Sequence, residues 1–449
     1  MNTTYDVIVI GAGVAGGSIA TKAQQEGKEV AVIEQSMFGG TCPNKGCIPK
    51  KVMTGLVQTY AESRQLTGVG IKGELSLNWH DLLAYKDEFT EPVPDATEES
   101  LRAKGIVTYK GKASFLDPHT VKVGEENLTA THIVIATGAK PTPLPIDGAD
   151  HMITSDEFLD LKELPERIVF IGGGYISFEF AHICARLNKD VVMIHRGRHV
   201  LENFDHEMTN KLVELSKDIG IDIHTGTEAT SITKLDNGSY KIDVTKFDHE
   251  HTLKADMIVH GAGRQANITG LELNNAGIEA SEKGIIVNHN MQSTSQPHIY
   301  AAGDVADTLD APLTPNANKN AEQVIRHMFE EKGLETTRPT PSIVYTHPKL
   351  AAVGLTQQEA QEKKIPYEEQ SKNIEDYFTY SRKKDIGAYA KILTNPHTDE
   401  ILGAHVLTSE ADHLINIFTL AIQKNLTKHD LEHVLWGFPT AESDIPSLF

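Results

Sequence analysis

Two cysteines separated by four residues are the most reactive feature of the sequence. Cys42 and Cys47 lie within residues 39–51, which read GGTCPNKGCIPKK. In a regular α-helix, Cα atoms five residues apart are about 8.6 Å from each other, whereas a disulfide needs less than about 7 Å. The two thiols can therefore pair only if the helix is distorted where it starts. Pro43, Asn44 and Gly46 are residue types that permit such a distortion.

A pair of neighbouring thiolates could also bind a metal ion. However, no third and fourth ligand cluster near Cys42 and Cys47, and Cys184, the only other cysteine, lies far along the chain. This count excludes a four-cysteine zinc site and a secreted disulfide scaffold. We therefore favour a redox-active disulfide. Cys184 has apolar neighbours in a helical stretch, so we expect it to pack in a core.

A glycine-rich turn follows the first apolar run of the chain. Residues 5–10 (YDVIVI) lead into GAGVAG, which contains Gly11, Gly13 and Gly16, and a helical stretch and a second strand ending at Glu34 follow. In this context the GxGxxG pattern indicates a dinucleotide site. The glycines admit a pyrophosphate at the helix N-terminus, and Glu34 would accept hydrogen bonds from the adenosine ribose. The other interpretation is a glycine turn that holds no ligand.

The same unit recurs 161 residues later. A strand at residues 167–171 enters GGGYIS, which contains Gly172 and Gly174, and a helix and a strand ending near His195 follow. Two Rossmann-type units imply two dinucleotides, or one dinucleotide and a degenerate copy.

The residues that end the second strand bear on the choice of nicotinamide nucleotide. An acid there would favour the free 2′-hydroxyl of NADH, but this chain has His195, Arg196 and Arg198 instead. Arginine offers a planar fork suited to phosphate, so the sequence predicts NADPH. The alternative is that one or both arginines are ordinary surface charges.

Composition limits the partners. The 449 residues include 42 Lys+Arg and 62 Asp+Glu, a net charge of −20, which disfavours nucleic acid and anionic lipid as partners.

No run approaches about 18 apolar residues, so we expect no membrane span. Residues 1–4 are polar and a strand begins at Tyr5, so we expect no signal peptide. We predict a cytoplasmic protein, in which a dithiol can cycle.

Prolines mark two connections. We expect residues 140–148 (KPTPLPIDG) to form a stiff linker at which the chain passes from one domain to another. Pro339 and Pro341 precede a last segment that mixes both types of element and reads as an α+β domain. In this segment we expect strands at residues 342–345, 388–393 and 401–407 and helices at residues 356–364 and 410–424.

These motifs identify the chain as a member of the class I flavoprotein disulfide reductases, the family of glutathione reductase, dihydrolipoyl dehydrogenase and mercuric reductase. The resemblance covers essentially the whole chain. It rests on GAGVAG with Glu34, GGTCPNKGCIPKK, ATG at 136–138, GGGYIS, AAGD at 301–304 and THP at 346–348. It implies an α/β fold with two Rossmann-type dinucleotide-binding domains and a C-terminal α+β dimerisation domain. The implied domains are FAD-binding (1–149 and 271–335), NAD(P)H-binding (150–270) and dimerisation (336–449), in a homodimer that uses FAD and NADPH.

The resemblance also implies roles for single residues. Around the flavin, Cys47 would be the charge-transfer thiol, Cys42 the interchange thiol that attacks substrate, and Lys50 would lie by the ring and pair with Glu179. Tyr175 would cover the nicotinamide pocket and swing aside when NADPH enters. The further residues implied to bind cofactor are Gly40, Thr41, Thr137, Gly138, Arg264 and Asp304, of which Asp304 would hold the ribityl chain and Arg264 the nucleotide.

The C-terminal segment departs from the family pattern. In the family an HPTxxE motif from the partner subunit supplies the general acid/base, but here Phe438 replaces the histidine and Ser443 the acid that orients it. A phenyl ring cannot transfer a proton. One possibility is that His433, Glu442, Asp444 or a water molecule acts as the general acid/base instead. The other is that the leaving group needs no protonation.

At two positions where the family has arginines that bind glutathione, this chain has Thr21 and Glu322. The loss of these positive charges weakens the case for an anionic glutathione substrate. The extra C-terminal cysteine pair of mercuric reductases is also missing.

We predict a FAD-dependent NADPH oxidoreductase that reduces a small disulfide through Cys42 and Cys47, as glutathione reductase does. The alternatives are a reductase of a non-disulfide oxidant (a quinone, a metal ion or a hypothiocyanous-type electrophile) and a redox-sensing flavoprotein.

Overall fold

A computed structural model of the chain describes residues 2–247, 249–329 and 339–449. The α-helices are α1 Val14–Gln25, α2 Thr41–Lys45, α3 Cys47–Gln65, α4 Trp79–Thr90, α5 Val93–Ala103, α6 Ser155–Phe158, α7 Tyr175–Arg186, α8 His206–Asp218, α9 Thr314–Phe329, α10 Gln357–Glu362, α11 Phe378–Ser381, α12 Ala411–Gln423 and α13 Lys428–Glu432. Short 3₁₀ helices are Ala149–His151, Leu273–Ala276 and Glu442–Leu448.

The strands are β1 Asn2–Ile10, β2 Val30–Glu34, β3 Val107–Lys110, β4 Ala113–Asp117, β5 Thr120–Val123, β6 Glu126–Ile135, β7 Ala139–Pro141, β8 Arg167–Ile171, β9 Asp190–His195, β10 Ile221–Thr225, β11 Thr227–Lys234, β12 Tyr240–Lys246, β13 His249–Ala255, β14 Met257–His260, β15 Arg264–Ala266, β16 Ala280–Ser281, β17 Gly284–Ile286, β18 Ile299–Ala301, β19 Ala306–Asp307, β20 Ser342–Val344, β21 Lys349–Gly354, β22 Glu368–Asn373, β23 Tyr389–Thr394 and β24 Ile401–Thr408.

Two compact units make up the chain. The first comprises Met1–Lys50, Ala84–Thr142 and Gly263–Thr336, and the second comprises Lys51–Leu83, Pro143–Ala262 and Thr337–Phe449. Among the described residues, no helix is both long enough and apolar enough to cross a membrane.

The first unit is built on a seven-stranded sheet in the order β3-β2-β1-β6-β5-β4, with β18 also paired to β6. Strands β3, β2, β1, β6 and β18 run parallel, and Ile10 at the end of β1 pairs with both Ile33 and Ile135. Because these parallel strands end side by side, the turns that follow them meet at one edge of the sheet. The C-terminal parts of the central strands, residues 7–10 and 133–135, are apolar on both faces and buried, as expected for a covered parallel sheet.

The second unit contains the repeated Rossmann-type element. Strands β10-β9-β8-β14 form a parallel sheet, and β8, α7 and β9 reproduce the strand, helix and strand predicted after residue 167. An antiparallel sheet of β11, β12 and β13 lies between β10 and β14 in sequence. The fold is therefore α/β with two Rossmann-type elements, as predicted.

The last part of the second unit is a five-stranded antiparallel sheet in the order β20-β21-β24-β23-β22. The helix α12 packs against it with a face that includes Leu414, Ile415 and Phe418, all fully buried. The strands β20, β23 and β24 and the helices α10 and α12 fall within two residues of the predicted bounds. The α+β expectation for this segment is confirmed.

A buried lysine connects two parts of the second unit. Lys391 on β23 is fully buried, and its Nζ lies 3.1 Å from Oδ2 of Asp205, the residue that caps α8. The same ammonium donates hydrogen bonds to Gln357 Oε1 at 2.8 Å and to Glu207 Oε2 at 3.2 Å. Because each buried charge has a partner, the arrangement satisfies the general requirement for ions away from water.

Candidate active site

The predicted distortion between the two cysteines is present. Helix α2 ends at Lys45, Gly46 has φ −134° and ψ −112°, and α3 begins at Cys47. A Cβ on Gly46 would lie 3.0 Å from the carbonyl oxygen of Thr41, so a glycine suits this close approach. The interruption brings the two thiols into contact, because Cys42 and Cys47 share a side-chain hydrogen bond.

The two thiols differ in acidity. The hydrogen bond from Cys42 lowers the pKa of Cys47 to about 6 against the opposing effect of burial, and the Thr314 hydroxyl and the charge of Lys50 lower it further. Thr314 Oγ1 lies 3.4 Å from Cys47 Sγ. The same hydrogen bond, together with burial, raises the pKa of Cys42. In this dithiol form Cys47 is therefore the thiolate at neutral pH and Cys42 the protonated thiol.

The first glycine turn is held by Glu34. Its Oε2 accepts a hydrogen bond from the amide of Ala12 at 2.8 Å, and its Oε1 accepts one from the amide of Ser36 at 2.8 Å. Gly11 has φ +107°, and a Cβ there would lie 2.3 Å from the carbonyl oxygen of Ala136. Helix α1 begins at Val14, and its N-cap residue Gly13 provides no side-chain cap. Its free amides fit the pyrophosphate of a dinucleotide such as FAD.

The cysteine motif packs directly on this turn. Gly40 has φ +70°, and a Cβ there would lie 2.5 Å from the Cα of Gly13. The next residue, Thr41, starts α2. Asn44, which is buried, fixes the approach by donating hydrogen bonds to the carbonyl oxygens of Gly40 at 2.8 Å and Phe38 at 3.0 Å. Asn44 was predicted only to permit a distortion of the helix, and its hydrogen bonds to the glycine-rich turn were not predicted.

Four further predicted cofactor-binding residues lie in the first unit. Thr137 Oγ1 donates to the carbonyl oxygen of Asn267 at 2.8 Å, and Gly138 next to it has φ +66°. Arg264 donates from Nη2 to the carbonyl oxygen of Ala139 at 2.7 Å, where β15 pairs with β7. Burial raises the pKa of Asp304, and the positive charge of Arg264 opposes that rise.

The second glycine turn resembles the first in geometry. Gly172 has φ +120°, and a Cβ there would lie 2.1 Å from the carbonyl oxygen of Gly261. Gly174 precedes α7 without a side-chain cap, so this helix also presents free amides. Tyr175, the first residue of α7, is 40% exposed.

Beyond β9, the three predicted nucleotide residues differ in their contacts. His195 accepts a hydrogen bond at Nδ1 from the amide of Gly173 at 3.2 Å and donates from Nε2 to the carbonyl oxygen of His199 at 2.9 Å. Both ring nitrogens are thus engaged within the loop. Arg196 and Arg198 are exposed and have no hydrogen bond or ion pair to any other described side chain. Their guanidinium groups fit a phosphate at this strand end.

Glu179 lies in the second unit on α7 and is 2% exposed. Its Oε1 accepts a hydrogen bond from the amide of Tyr345 at 2.8 Å. The Tyr345 ring in turn lies under the ammonium of Lys51, with Nζ 3.8 Å from the ring centroid. Lys50 belongs to the first unit, so its pairing with Glu179 stays a prediction.

A cavity of about 710 Å³ lies between α1 and α5 in the first unit. One end lies near α2: a Cβ on Gly39 would be 3.1 Å from Pro43, the neighbour of Cys42, and 3.2 Å from Val93. The lining includes hydroxyl groups and two lysines as well as apolar carbon. The polar side chains in the lining are Ser18, Thr21, Lys22, Gln25, Thr97, Ser100 and Lys104.

The C-terminal residues that differ from the family pattern lie at the surface or near it. Phe438 is 85% exposed, and Ser443 Oγ donates to the carbonyl oxygen of Thr440 at 2.6 Å. His433 uses Nδ1 to donate to the carbonyl oxygen of His429 at 2.7 Å. Among the residues described, no group of three or more His, Cys, Asp and Glu could hold a metal ion.

Comparison with known proteins agrees with this geometry. Residues 5–325 match the family described as pyridine nucleotide-disulphide oxidoreductase, and residues 340–448 match its dimerisation domain. A glutathione reductase of Burkholderia cepacia is 32% identical over 99% of this chain and 98% of its own length. A dihydrolipoamide dehydrogenase of Chaetomium thermophilum is 31% identical over 97% and 88%, and a mercuric reductase of Staphylococcus aureus is 31% identical over 95% and 78%.

Two Rossmann-type elements, the first with a dithiol motif packed on its glycine turn, define a flavoprotein disulfide oxidoreductase. The chain belongs to the class I pyridine nucleotide-disulphide oxidoreductase family. Its cofactors are FAD and NADPH, and it is a homodimer. The predicted family, fold class and cofactors are confirmed.

Proposed function

We propose that the protein uses NADPH to reduce a small disulfide through Cys42 and Cys47, as the name of its glutathione reductase relatives suggests. The difference in acidity between the two thiols supports this proposal. A thiolate next to a protonated thiol gives the two sulfurs different chemical roles in disulfide reduction. FAD, when bound, transfers the electrons of NADPH to this pair. The dithiol is suited to a reducing cytoplasm, in which we place the enzyme.

The chain's own residues provide the thiol chemistry. Cys42 shares its proton with the Cys47 thiolate, which can accept that proton while the Cys42 sulfur attacks one sulfur of the substrate. The substrate S–S bond breaks, a mixed disulfide with Cys42 forms, and the other half of the substrate leaves as a thiolate. Cys47 then attacks the Cys42 sulfur, which releases the second thiol and forms the Cys42–Cys47 disulfide. The substrate gains two electrons and the dithiol loses two.

We assign the remaining predicted residues accordingly. Around the first glycine turn we propose that Glu34 binds the FAD ribose and that α1 faces the pyrophosphate. Around the second turn we propose that Arg196 and Arg198 bind the 2′-phosphate of NADPH and that Tyr175 covers the nicotinamide pocket. The proposed domains are FAD-binding at 1–149 and 271–335, NADPH-binding at 150–270 and dimerisation at 336–449.

A panel of acceptors tests the proposal. Purified holoenzyme is mixed with NADPH or NADH and with small disulfides, quinones or hypothiocyanite, and nucleotide oxidation is followed. We expect disulfide turnover with NADPH that disappears in Cys42→Ser and Cys47→Ser. Full disulfide turnover in Cys42→Ser would contradict the dithiol route.

A second function follows from Phe438. A substrate that leaves without protonation needs no acid at this position, and the exposed phenyl ring offers none. The enzyme would then reduce an electrophilic oxidant such as hypothiocyanite. Turnover of hypothiocyanite that exceeds turnover of every disulfide by a factor of ten or more in kcat/KM would favour this function over the first.

A further inference from the structure

We infer that Gln358 is a positioning residue for the nicotinamide nucleotide, because it holds the loop that supports the second glycine turn. This β9–α8 loop comprises residues 196–205. Gln358 lies on α10, within residues 340–448, which match the dimerisation domain. The inference rests on the proposed nucleotide site at the glycine turn of residues 172–174, and it adds a residue that acts on this site from the C-terminal segment.

A series of hydrogen bonds joins Gln358 to the glycine turn. Nε2 of Gln358 donates to the carbonyl oxygen of Phe204 at 2.7 Å. The amide of Phe204 donates to the carbonyl oxygen of Leu201 at 2.8 Å, and the amide of Leu201 donates to the carbonyl oxygen of Gly173 at 2.9 Å. Gly173 is the middle residue of the turn. A shift of Phe204 is therefore passed to Gly173 through two further hydrogen bonds.

The β9–α8 loop depends on this support because its backbone is strained. Leu201 has φ +51°, a conformation that a bulky residue rarely adopts and that persists only where the surrounding contacts hold it. The side chains of Leu201 and Phe204 are buried, so the loop is packed against the rest of the second unit. Loss of the Gln358 hydrogen bond removes one of the contacts that keep Leu201 in this conformation.

The last residue of the loop is held separately. The amide of Gln357 donates to Oδ2 of Asp205 at 3.4 Å, and Nζ of Lys391 lies 3.1 Å from the same oxygen. These contacts fix the start of α8, whereas Gln358 contacts Phe204, whose amide bonds to the strained part of the loop. Removing the Gln358 hydrogen bond therefore leaves the buried charges of Asp205 and Lys391 paired, so its effect on the nucleotide can be measured in a folded protein.

Thermodynamic linkage makes the support reciprocal. If Gln358 favours the nucleotide-binding position of the glycine turn, bound nucleotide favours the Gln358 contact by the same free energy. Binding of NADP⁺ at the turn should therefore stabilise the start of α10. NADPH and NADH should benefit equally, because the turn precedes the N-terminus of α7, where the pyrophosphate that they share would bind.

Gln358→Met tests the inference, because it removes the donor and keeps the length of the side chain. Calorimetric titration of the oxidised holoenzyme should give a Kd for NADP⁺ about 3- to 10-fold higher than in the wild type, as expected for one lost neutral hydrogen bond. KM for NADPH and NADH should rise by the same factor, with kcat changed less than about twofold. Gln358→Lys keeps a donor and should retain most of the affinity. An unchanged Kd in Gln358→Met, or a fall in kcat with no rise in KM, would overturn the inference.

Gln361→Met is the matched control. Gln361 lies on the same helix, is exposed and donates to the hydroxyl of Tyr367 at 3.1 Å. Its replacement removes a hydrogen bond of the same type within the C-terminal segment, so we expect the Kd for NADP⁺ to stay the same. An equal rise in Kd in the Gln361 and Gln358 variants would show a general effect on α10 and would refute the role of Gln358.

Amide hydrogen exchange gives a readout that a purely structural role would not change. Bound NADP⁺ should slow exchange in residues 356–363 of the wild type at least about twofold and should leave the same residues of Gln358→Met unaffected. No slowing in the wild type would contradict the coupling. An unchanged Kd in Arg196→Ala and Arg198→Ala would contradict the proposed 2′-phosphate contacts, whereas a raised Kd in these variants with an unchanged Kd in Gln358→Met would overturn this inference alone.

Discussion

The amide of Gly173 donates a hydrogen bond to Nδ1 of His195, 22 residues later in the chain and 3.2 Å away. In the first unit the amide of Ala12 donates to Oε2 of Glu34, also 22 residues later, at 2.8 Å. In both elements the last residue of the second strand therefore holds the glycine turn in place. His195 performs this task with a neutral acceptor where Glu34 uses a charged one.

The first prediction concerns this acceptor. His195→Phe leaves the amide of Gly173 without its partner, which should destabilise the protein by about 1–3 kcal/mol. The nucleotide site that we propose at this turn would accept either nucleotide, so KM should rise for NADPH and for NADH alike. Steady-state kinetics with each nucleotide and denaturation by urea measure the two effects. A rise in KM for NADPH alone would instead place His195 in contact with the 2′-phosphate.

The second prediction concerns the exposed arginines that follow His195. Arg196→Ala and Arg198→Ala should each raise KM for NADPH about 10-fold, because each removes a charge-assisted hydrogen bond worth about 1.5–3 kcal/mol. KM for NADH should change little, since NADH has no 2′-phosphate. The ratio of kcat/KM for the two nucleotides measures the effect. An unchanged ratio in both variants would make the arginines ordinary surface charges.

The third prediction concerns pH. The Cys47 pKa is lowered to about 6, so its thiolate is present above about pH 6 and is lost as the pH falls through that value. The resemblance implies that Cys47 is the charge-transfer thiol, so we expect the NADPH-reduced holoenzyme to show a long-wavelength absorbance that fades with a midpoint near pH 6. In Thr314→Val the midpoint should move upward, because the hydroxyl 3.4 Å from Cys47 Sγ stabilises the thiolate.

A further variant, Cys47→Ser, is the control for this experiment. Cys47→Ser should show no such band at any pH. A midpoint that is unchanged in Thr314→Val would show that Thr314 does not act on the thiolate in the holoenzyme.

The fourth prediction concerns the buried lysine of the second unit. Lys391→Met leaves Asp205, which is 1% exposed, as an unpaired buried carboxylate, and should lower the free energy of unfolding by about 3–5 kcal/mol. Adding Asp205→Asn should recover part of this loss, since the uncompensated charge is then removed. Chemical denaturation of the wild type and the two variants measures the coupling. Equal stability of the single and double variants would show that Asp205 does not depend on Lys391.

Acid should weaken the same contact. Burial alone would raise the pKa of Asp205, but His405 and Lys391 lower it below its ordinary value. A carboxyl with a depressed pKa in the folded state stabilises the protein above its unfolded-state pKa, and this contribution is lost as the pH falls through the folded-state value. Removing Lys391 takes away one of the effects that lower this pKa, so the Asp205 carboxyl of Lys391→Met should protonate at a higher pH than that of the wild type. The stability difference between the two proteins should therefore begin to shrink as the pH falls through the variant's value and disappear below the wild-type value.

Sequence patterns located the parts of the fold that local chemistry determines. The ends of β1 and β8 were predicted closely, because apolar runs end there in glycine turns that admit few other conformations, whereas β1 begins three residues before the predicted Tyr5. Helix α5 was not predicted, since a largely polar segment acquires its helical identity from packing against the rest of the first unit. The cavity that it forms with α1 could not be predicted for the same reason.

The candidate site was predictable in its motifs but not in its long-range contacts. Thr314 lies 267 residues after Cys47, and no local pattern joins a threonine at the start of α9 to a distant cysteine. The contact of Lys104 with Thr21 likewise spans 83 residues. By contrast, the interruption at Gly46 followed from the spacing of the two cysteines, because only an irregular helix allows them to meet.

The complete burial of Cys184 within α7 has an analytical consequence. Burial raises the pKa of its thiol, so alkylating reagents should not label it in the folded protein. A native sample would then gain two alkyl groups when the pair is reduced and none when it is oxidised, and unfolding would add one more. The mass of the intact chain thus reports the oxidation state of Cys42 and Cys47, with Cys184 as an internal standard for unfolded material.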